Sequence, residues 1–393
     1  MFKFGFDIED VDDTEDLLHL GEAPNNTRDQ SSAGAPLVVL EPFSEISLKD
    51  LLDTIPALIS YSPLSIPLSS PRKATTLIRR DLFDARFQLI SEGAGDATDD
   101  AYQEEQALAF LDAPSDLVPG VYEGGLKTWE CSLDLVDYLD SLKDASVPSP
   151  KTFVGKKVLE VGCGTGVPSS YIFREVLSCT RTTAISGDPS PRTEIHLQDY
   201  NVSVLQLVTL PNILLTWYTS PHADAYRSAT GDQEVAPTVD PTDAGELPIT
   251  AELKDAFLSS LSALKISFRF FSGSWDTFDP IKTIGPAGYD ILLTSETIYR
   301  TDSLDPLVNL MQVACTGEKK TGLQLENLMS SRLTLEEDEP RYLCLVAAKI
   351  LYFGVGGGVS DFLKTVKDRN GQVETVLERK AGVGRKIMRV DWL

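Results

Sequence analysis

The run Lys157-Val158-Leu159-Glu160-Val161-Gly162-Cys163-Gly164-Thr165-Gly166 holds the residues in this chain best suited to chemistry. A short apolar strand enters a G-x-G-x-G turn, and Pro168 then opens an amphipathic helix through Tyr171, Ile172, Val176 and Leu177. Proline suits a first helical turn because its missing N–H would have no partner there. Glycines at 162, 164 and 166 let the backbone approach a bulky ligand closely. A dinucleotide fingerprint needs a further glycine where Val167 stands, and a phosphate-cradling loop needs a Lys-Ser/Thr pair that does not follow. Both are excluded.

Other strings follow the same logic of short, polar and aromatic turns. They are Tyr122 to Glu130 running into Cys131-Ser132-Leu133, Gln198-Asp199-Tyr200-Asn201, Phe270 to Trp275, Thr294 to Tyr299, and Tyr352 to Val359. The glycine turn resembles motif I of the seven-strand S-adenosylmethionine-dependent methyltransferases. The strings in this order resemble the histidine protein methyltransferase family, from roughly Leu117 to Leu393. The N-terminal part is similar more loosely, through Phe2-Lys3-Phe4-Gly5-Phe6 and Ile59-Ser60-Tyr61-Ser62-Pro63-Leu64. The resemblance implies an enzyme that transfers a methyl group from S-adenosylmethionine to the tele nitrogen of a histidine in a large-subunit ribosomal protein, L-three. It implies cofactor contacts at Trp129, Glu130, Cys131, Ser132, Leu133, Gly162, Asp199, Tyr200, Asn201, Gly273, Ser274, Trp275 and Ser295, with Gly164 and Gly166 completing the turn. Glu160 would reach toward the cofactor's amino-acid end.

Methyl transfer from a sulfonium is an in-line displacement, so the enzyme must hold methyl and nucleophile in a near-attack geometry. A carboxylate ending the second strand is the expected acceptor for the cofactor's ribose diol, and Asp199 fills that place; a helix-terminal acid stabilised by the dipole is the other reading. Gly273 would let backbone approach the adenine, with Ser274 bonding its edge and Trp275 covering its face. Ser295 and Glu296 would end the fourth strand beside the methyl. A histidine acceptor, with a reference pKa of about 6.5, is largely neutral at pH 7 but needs the right tautomer. Glu296 could accept its ring N–H and Tyr299 could pack on the ring; Glu296 as a plain helix cap stays open. The E-x-x-Y of Glu296 to Tyr299 also resembles related lysine methyltransferases. Gly354, Gly356, Gly357 and Gly358 read equally as a substrate platform or a tight turn. Two alternatives stand beside the histidine enzyme: a lysine methyltransferase of the same group, and a non-catalytic ribosome-assembly factor with a vestigial pocket.

Composition narrows the partners. The 393 residues carry a net charge of −24, and the first thirty hold nine acids against two bases. Such a chain is poorly suited to grip nucleic-acid phosphates and better suited to a basic protein substrate, whose opposite field speeds encounter. Five cysteines, Cys131, Cys163, Cys179, Cys315 and Cys344, are widely spaced without a C-x-x-C, so neither zinc nor a disulfide framework is indicated. Reduced thiols fit the cytoplasm and nucleus. His19, His196 and His222 lack ligand spacing, so no metal is expected. The N-terminus is acidic where a leader needs a basic region, and no apolar run approaches the ~20 residues of a membrane span.

The elements that position these residues read as α/β. Expected strands are Lys157–Val161, Thr193–Gln198, Ser267–Phe271, Tyr289–Ser295 and Tyr342–Ala348, closed by an antiparallel pair over Val373–Glu378 and Lys386–Asp391. Helices are expected at Ser132–Leu142, after strand two with a break near Pro211, at Leu304–Ala314 and near Ser360–Lys367. Alternation of this kind predicts a doubly wound, seven-strand Rossmann-like sheet with its ligand at the carboxyl ends of the strands. Residues 1–36 read as an acidic disordered tail, with Phe2, Phe4 and Phe6 on one strand face. Residues 37–115 read as a mostly disordered or helical extension, with helices near Leu48–Ile55 and over Leu77–Ser91 and an acidic linker over 92–105. The methyltransferase domain is placed at 116–393, with inserted loops at 177–191, 219–248 and 316–340.

Overall fold

A computed structural model describes residues 41–93, 125–143, 153–183, 191–230, 239–317, 342–352 and 357–392. The expectations for residues 1–36, for most of the 92–105 linker, and for much of the 177–191 and 316–340 loops lie outside these. In chain order the strands are β1 (Ser44–Ile46), β2 (Leu58–Pro67), β3 (Ala74–Arg80), β4 (Lys157–Val161), β5 (Thr193–Asp199), β6 (Gly245–Pro248), β7 (Ile266–Ser272), β8 (Ile291–Ser295), β9 (Leu343–Lys349), β10 (Gly371–Arg379) and β11 (Arg385–Trp392).

Eight of them form one sheet in the order β1-β7-β5-β4-β8-β9-β11-β10. β7, β5, β4, β8 and β9 run parallel, and β11 lies antiparallel between β9 and β10. The chain winds outward from β4 through β5 to β7, then returns to β8 on the other side. The crevice at the carboxyl ends of β4 and β8 is therefore the topological switch point, where such sheets bind ligands. The seven expected strands are all present. The eighth, β1, pairs antiparallel with β7 through Ser44↔Ser272 and covers an edge that would otherwise be open.

Both faces of the central strands are covered. Val158, Ile195, Leu197, Phe270, Ile291, Leu293 and Leu345 pack on one side against the helices Glu130–Ser141, Val167–Thr183, Leu210–Tyr218 and Ala251–Leu264. Leu159, Val161, Leu292, Cys344 and Val346 pack on the other against Leu304–Thr316 and Val359–Asp368. Burial on both faces explains why Ile291-Leu292-Leu293 reads as an unbroken apolar run rather than an alternation. Each fully buried Leu or Ile contributes about 1.5–3 kcal/mol.

The extension differs from its expected helical character. Leu77 begins no helix: Ala74–Arg80 is a strand, and the helix starts only at Leu82, running to Gly93. Short apolar runs such as Leu77-Ile78 fit either period, and the β-branched Thr75 and Thr76 favour the strand. β3 pairs with β2, and β2 pairs with β6, in a separate antiparallel sheet. Pro63 and Pro67 sit in β2 beyond the stretch, Leu58–Tyr61, that pairs with β6, so their missing N–H groups break no ladder there. β6 itself lies inside the stretch read as an inserted loop at 219–248; Tyr61 crosses Gly245 closely enough that a Cβ there would sit 2.6 Å from the phenol oxygen. The break near Pro211 is a π-turn. Val202–Tyr218 continues through Leu205–Thr209 with the Leu210 N–H donating to Leu205 O, and that wider turn admits the proline. Contacts join Leu40–Leu393 into one compact unit, so residues 41–93 belong to the body that carries the crevice.

Candidate active site

Gly162, Gly164 and Gly166 have φ of 60°, 51° and 62°. This alternation of left-handed residues is open to glycine and strained for others. The turn is held from two sides. Cys163 N–H donates to the Gln198 carbonyl at 2.8 Å. From the helix after β5, the Thr209 hydroxyl donates to Gly164 O at 2.6 Å and the Asn212 amide to Thr165 O at 2.8 Å. A Cβ on Gly164 would stand 3.2 Å from the Gly125 carbonyl oxygen, so the strand-turn-helix is crossed by the segment leading to Trp129.

Glu160 lies under this turn and not in it. The residue is 1% exposed, and Oε2 accepts the Ser169 N–H at 2.9 Å and the Ser169 hydroxyl, tying β4 to the first turn of the following helix. Burial pushes its carboxyl up to about 8, against the lowering by the Ser169 hydrogen bonds. Its expected reach toward a cofactor gives way to this anchoring role, because the side chain follows the pleat into the helix-covered face.

At the end of β5, Asp199 Oδ2 accepts the Gly164 N–H at 2.9 Å and Oδ1 the Asn201 N–H at 3.2 Å. A carboxylate offers about four acceptor sites, so these two bonds alone do not fill it. Gln198, fully buried, was given no role by the sequence, yet it ties together two site segments. Its amide oxygen accepts from Gly162 N–H at 3.2 Å and Trp275 Nε1–H at 2.8 Å, and its amide nitrogen donates to Gly273 O at 2.9 Å. Trp275 is thereby held beside the glycine turn. Gly273 and Ser274 differ from expectation. A Cβ on Gly273, at φ 93°, would collide with the Pro42 carbonyl. The Ser274 N–H donates to Glu41 O at 2.9 Å and its hydroxyl accepts the Asp276 N–H at 3.3 Å. The strap leading into β1 thus packs on Gly273 and occupies the Ser274 N–H, while Asp276 engages the Ser274 hydroxyl; the Tyr200 hydroxyl also accepts the Glu41 N–H at 3.2 Å.

Ser295 ends β8, and Glu296 follows with φ 58°, a strained conformation for a non-glycine residue. Its N–H is held by Ala347 O at 2.9 Å. Its side chain is 10% exposed. Tyr352 donates its hydroxyl to Oε2 at 2.7 Å. Among the described residues Oε1 has no partner at hydrogen-bond geometry; it lies 3.6 Å from Lys349 Nζ, and the Cys131 thiol also faces this carboxylate. That ammonium sits 4.3 Å over the Trp129 ring. Burial first, and Glu296 next, push the Cys131 thiol and the Tyr352 phenol far above their ordinary values. Tyr299 is 9% exposed with its ring 6.4 Å from that of Tyr352. Thr297 connects this loop to the turn: its methyl would be 2.5 Å from a Cβ on Gly162. Gly357 donates to Tyr299 O at 3.0 Å with no room for a side chain, which favours a tight structural turn there; Gly354 and Gly356 lie outside the described residues.

Trp129 caps the helix Glu130–Ser141, and both the N–H and the hydroxyl of Ser132 donate to its carbonyl. Cys131 faces Glu296, while Glu130 is exposed. Leu133 turns elsewhere, into a cleft of about 270 Å³ shared with Pro67, Ser69, Asp134, Arg379 and Arg385. Three buried acids fix this helix. Asp134 meets Arg385 at 2.6 Å, Asp137 takes the Ser69 hydroxyl at 2.8 Å and Arg379, and Asp140 takes Tyr171 at 2.7 Å. Burial alone would raise the Asp140 carboxyl, but hydrogen bonds from Tyr171, Ser70 and Lys143 hold it below the ordinary value.

The crevice therefore joins a glycine turn with fixed N–H groups, a carboxylate ending β5, an indole, and a mostly buried carboxylate with one unbonded oxygen. These residues fit a bulky polar cofactor on the β4–β5 side and a hydrogen-bond donor on the β8–β9 side.

No family model matches the chain. Histidine protein methyltransferase 1 of Saccharomyces cerevisiae is 31% identical over 378 residues, 94% of this chain and 91% of that protein. The Schizosaccharomyces pombe protein of that name is 30% identical, covering 93% and 90%. The Bos taurus homolog is 34% identical over 259 residues, 65% of this chain and 52% of that protein. The solved magnesium protoporphyrin IX methyltransferase from Synechocystis PCC 6803 overlaps only loosely, with a TM-score of 0.29 and 10% identity across 77% of this chain and 89% of that one.

Proposed function

The chain belongs to the histidine protein methyltransferase family, and we propose that its acceptor is a histidine of a large-subunit ribosomal protein, L-three, methylated at the tele nitrogen. The methyl donor is S-adenosylmethionine, which when bound supplies an electrophilic methyl carbon on a sulfonium. The chain's own residues do the rest. The glycine turn lets its backbone approach the cofactor closely, Asp199 receives ribose hydroxyls, and Trp275, locked by Gln198, stands over the adenosine side of the crevice. Glu296 selects the reactive tautomer by accepting the imidazole N–H opposite the attacking nitrogen, and its charge stabilises the positive charge that develops on the ring.

The observation that carries this reading is Glu296 Oε1, mostly buried and, among the described residues, without a hydrogen-bond partner. A buried acceptor left unmade is costly, and an imidazole N–H is the donor that would complete it. The net charge of −24 supports a basic substrate, and that substrate in turn suits a protein of the cytoplasm and nucleus. The test is amino-acid analysis of large-subunit ribosomal proteins with and without this gene. Loss of methylhistidine is expected; an unchanged content overturns the ribosomal acceptor.

A further inference from the structure

Lys349 is the unexpected group in the acceptor half of the crevice. It ends β9, next to β8 in parallel register, and reaches back to Glu296 Oε1 at 3.6 Å while covering the Trp129 ring at 4.3 Å. Its side chain is 19% exposed, so most of its surface is covered by the crevice. The other charges around it are already balanced or turned outward. Arg385 pairs with Asp134 at 2.6 Å, Glu130 is exposed, and burial keeps the Cys131 thiol and the Tyr352 phenol protonated. Among the described residues the acceptor half thus holds one carboxylate and one fixed cation, a pair without net charge.

We propose that Lys349 is a specificity-determining residue that makes this a site for neutral acceptors and turns away the lysine ammonium. The inference rests on the histidine reading above. A site with a lone carboxylate would draw an ammonium into an ion pair. Here the one unbonded oxygen already faces an ammonium, so a second cation would be held against a like charge with little water to screen it. An acceptor must then enter uncharged. Imidazole, with a reference pKa of about 6.5, is mostly neutral at pH 7, whereas only about one lysine in a few thousand is. The cation therefore converts an ordinary difference in acidity into a difference in acceptance. The 3.6 Å separation matters too: it is too long for a hydrogen bond, so Oε1 keeps its capacity for an imidazole N–H.

The test uses the full chain loaded with S-adenosylhomocysteine, with imidazole and n-butylammonium as probes of the two acceptor side chains, titrated near pH 7 and followed by NMR. The wild type is expected to bind imidazole at least tenfold more tightly. Lys349→Met, or Lys349→Gln if the first variant does not fold, should narrow or reverse that ratio by tenfold or more, while Lys349→Arg keeps it. S-adenosylhomocysteine affinity should stay within twofold throughout. An unmoved ratio with intact cofactor affinity overturns the proposal, as does a loss of cofactor affinity that accounts for the change, since Lys349 would then serve only to place Trp129. Product analysis of ribosomal protein treated with the wild type separates the two levels. Methylhistidine together with an unmoved ratio sinks the Lys349 role alone, and methyl-lysine without methylhistidine sinks the reading beneath it.

Discussion

Gln198 Oε1 accepts the Trp275 indole N–H at 2.8 Å, and the same oxygen receives the Gly162 N–H at 3.2 Å. One buried amide thereby fixes the glycine turn after β4 to the aromatic loop after β7, across the strand that lies between them. Its nitrogen closes the arrangement on Gly273 O at 2.9 Å. Replacing it with leucine keeps the volume and removes three hydrogen bonds. Gln198→Leu should weaken S-adenosylhomocysteine binding by about tenfold or more and cost roughly 1–3 kcal/mol of stability, the range for buried groups left unpaired. Calorimetry and denaturant unfolding measure the two; unchanged affinity would mean that the loops hold their places without it.

Asp199 faces a sharper test, because it both shapes the turn and offers the carboxylate for a diol. Its two oxygens hold Gly164 N–H and Asn201 N–H at 2.9 and 3.2 Å. Asp199→Ala should weaken cofactor affinity by roughly 1–3 kcal/mol. Asp199→Asn, which keeps one acceptor, should fall between. An affinity loss under a few tenths of a kcal/mol in Asp199→Ala would leave the residue with a purely local role.

Glu160 should reveal itself through pH. Its folded carboxyl is pushed up to about 8 from the ordinary 4.5, chiefly by burial. The folded chain then keeps a proton that the unfolded chain has released, so this contribution to stability is full below about pH 4.5 and is lost as pH rises through about 8. Glu160→Gln keeps an acceptor for Ser169 and has nothing to titrate. Its stability, followed by thermal melting, should gain on the wild type steadily from pH 5 to 8, by a few kcal/mol at most. Parallel melting curves across that range would show that Glu160 is already ionised in the fold.

The glycine turn and the five parallel strands were legible because both signals are local: an apolar run of strand length, punctuated by glycine, then a helical period. Asp199 and Glu296 were legible for a related reason, since each stands at the carboxyl end of a readable strand. Gln198 and Lys349 were not. Gln198 matters through its reach to Gly162 and Gly273 on neighbouring strands, and Lys349 through the β8–β9 register, and neither adjacency is written in the sequence nearby. Gly273 illustrates the converse. Its glycine was legible and its reason was not, because the Pro42 backbone that demands it lies more than two hundred residues earlier. β2 was hidden by its own prolines, which mark a turn unless one knows that β6 pairs only with the other end of the strand.

The acceptor chemistry turns on Glu296. Tyr352 holds Oε2 at 2.7 Å and, among the described residues, no donor bonds Oε1, and the backbone at φ 58° is strained in a way that fixes where the carboxylate stands. A carboxylate so placed can accept one imidazole N–H and stabilise the charge that grows on the ring as the methyl arrives. That charge exists mainly in the transition state, so its loss should appear in kcat and hardly at all in cofactor affinity. Glu296→Gln is expected to lower kcat by about 10²-fold or more, with S-adenosylhomocysteine affinity within twofold of wild type. Tyr352→Phe, which frees Oε2 without removing the charge, should lower kcat by a smaller factor in the same direction. The product in every active variant should be methylhistidine, identified by mass spectrometry of the modified peptide. Wild-type turnover by Glu296→Gln would remove the role assigned to Glu296. A fall in cofactor affinity that matches the fall in kcat would instead make the carboxylate a support for Trp129 and Cys131, and the tautomer would have to be set by another group.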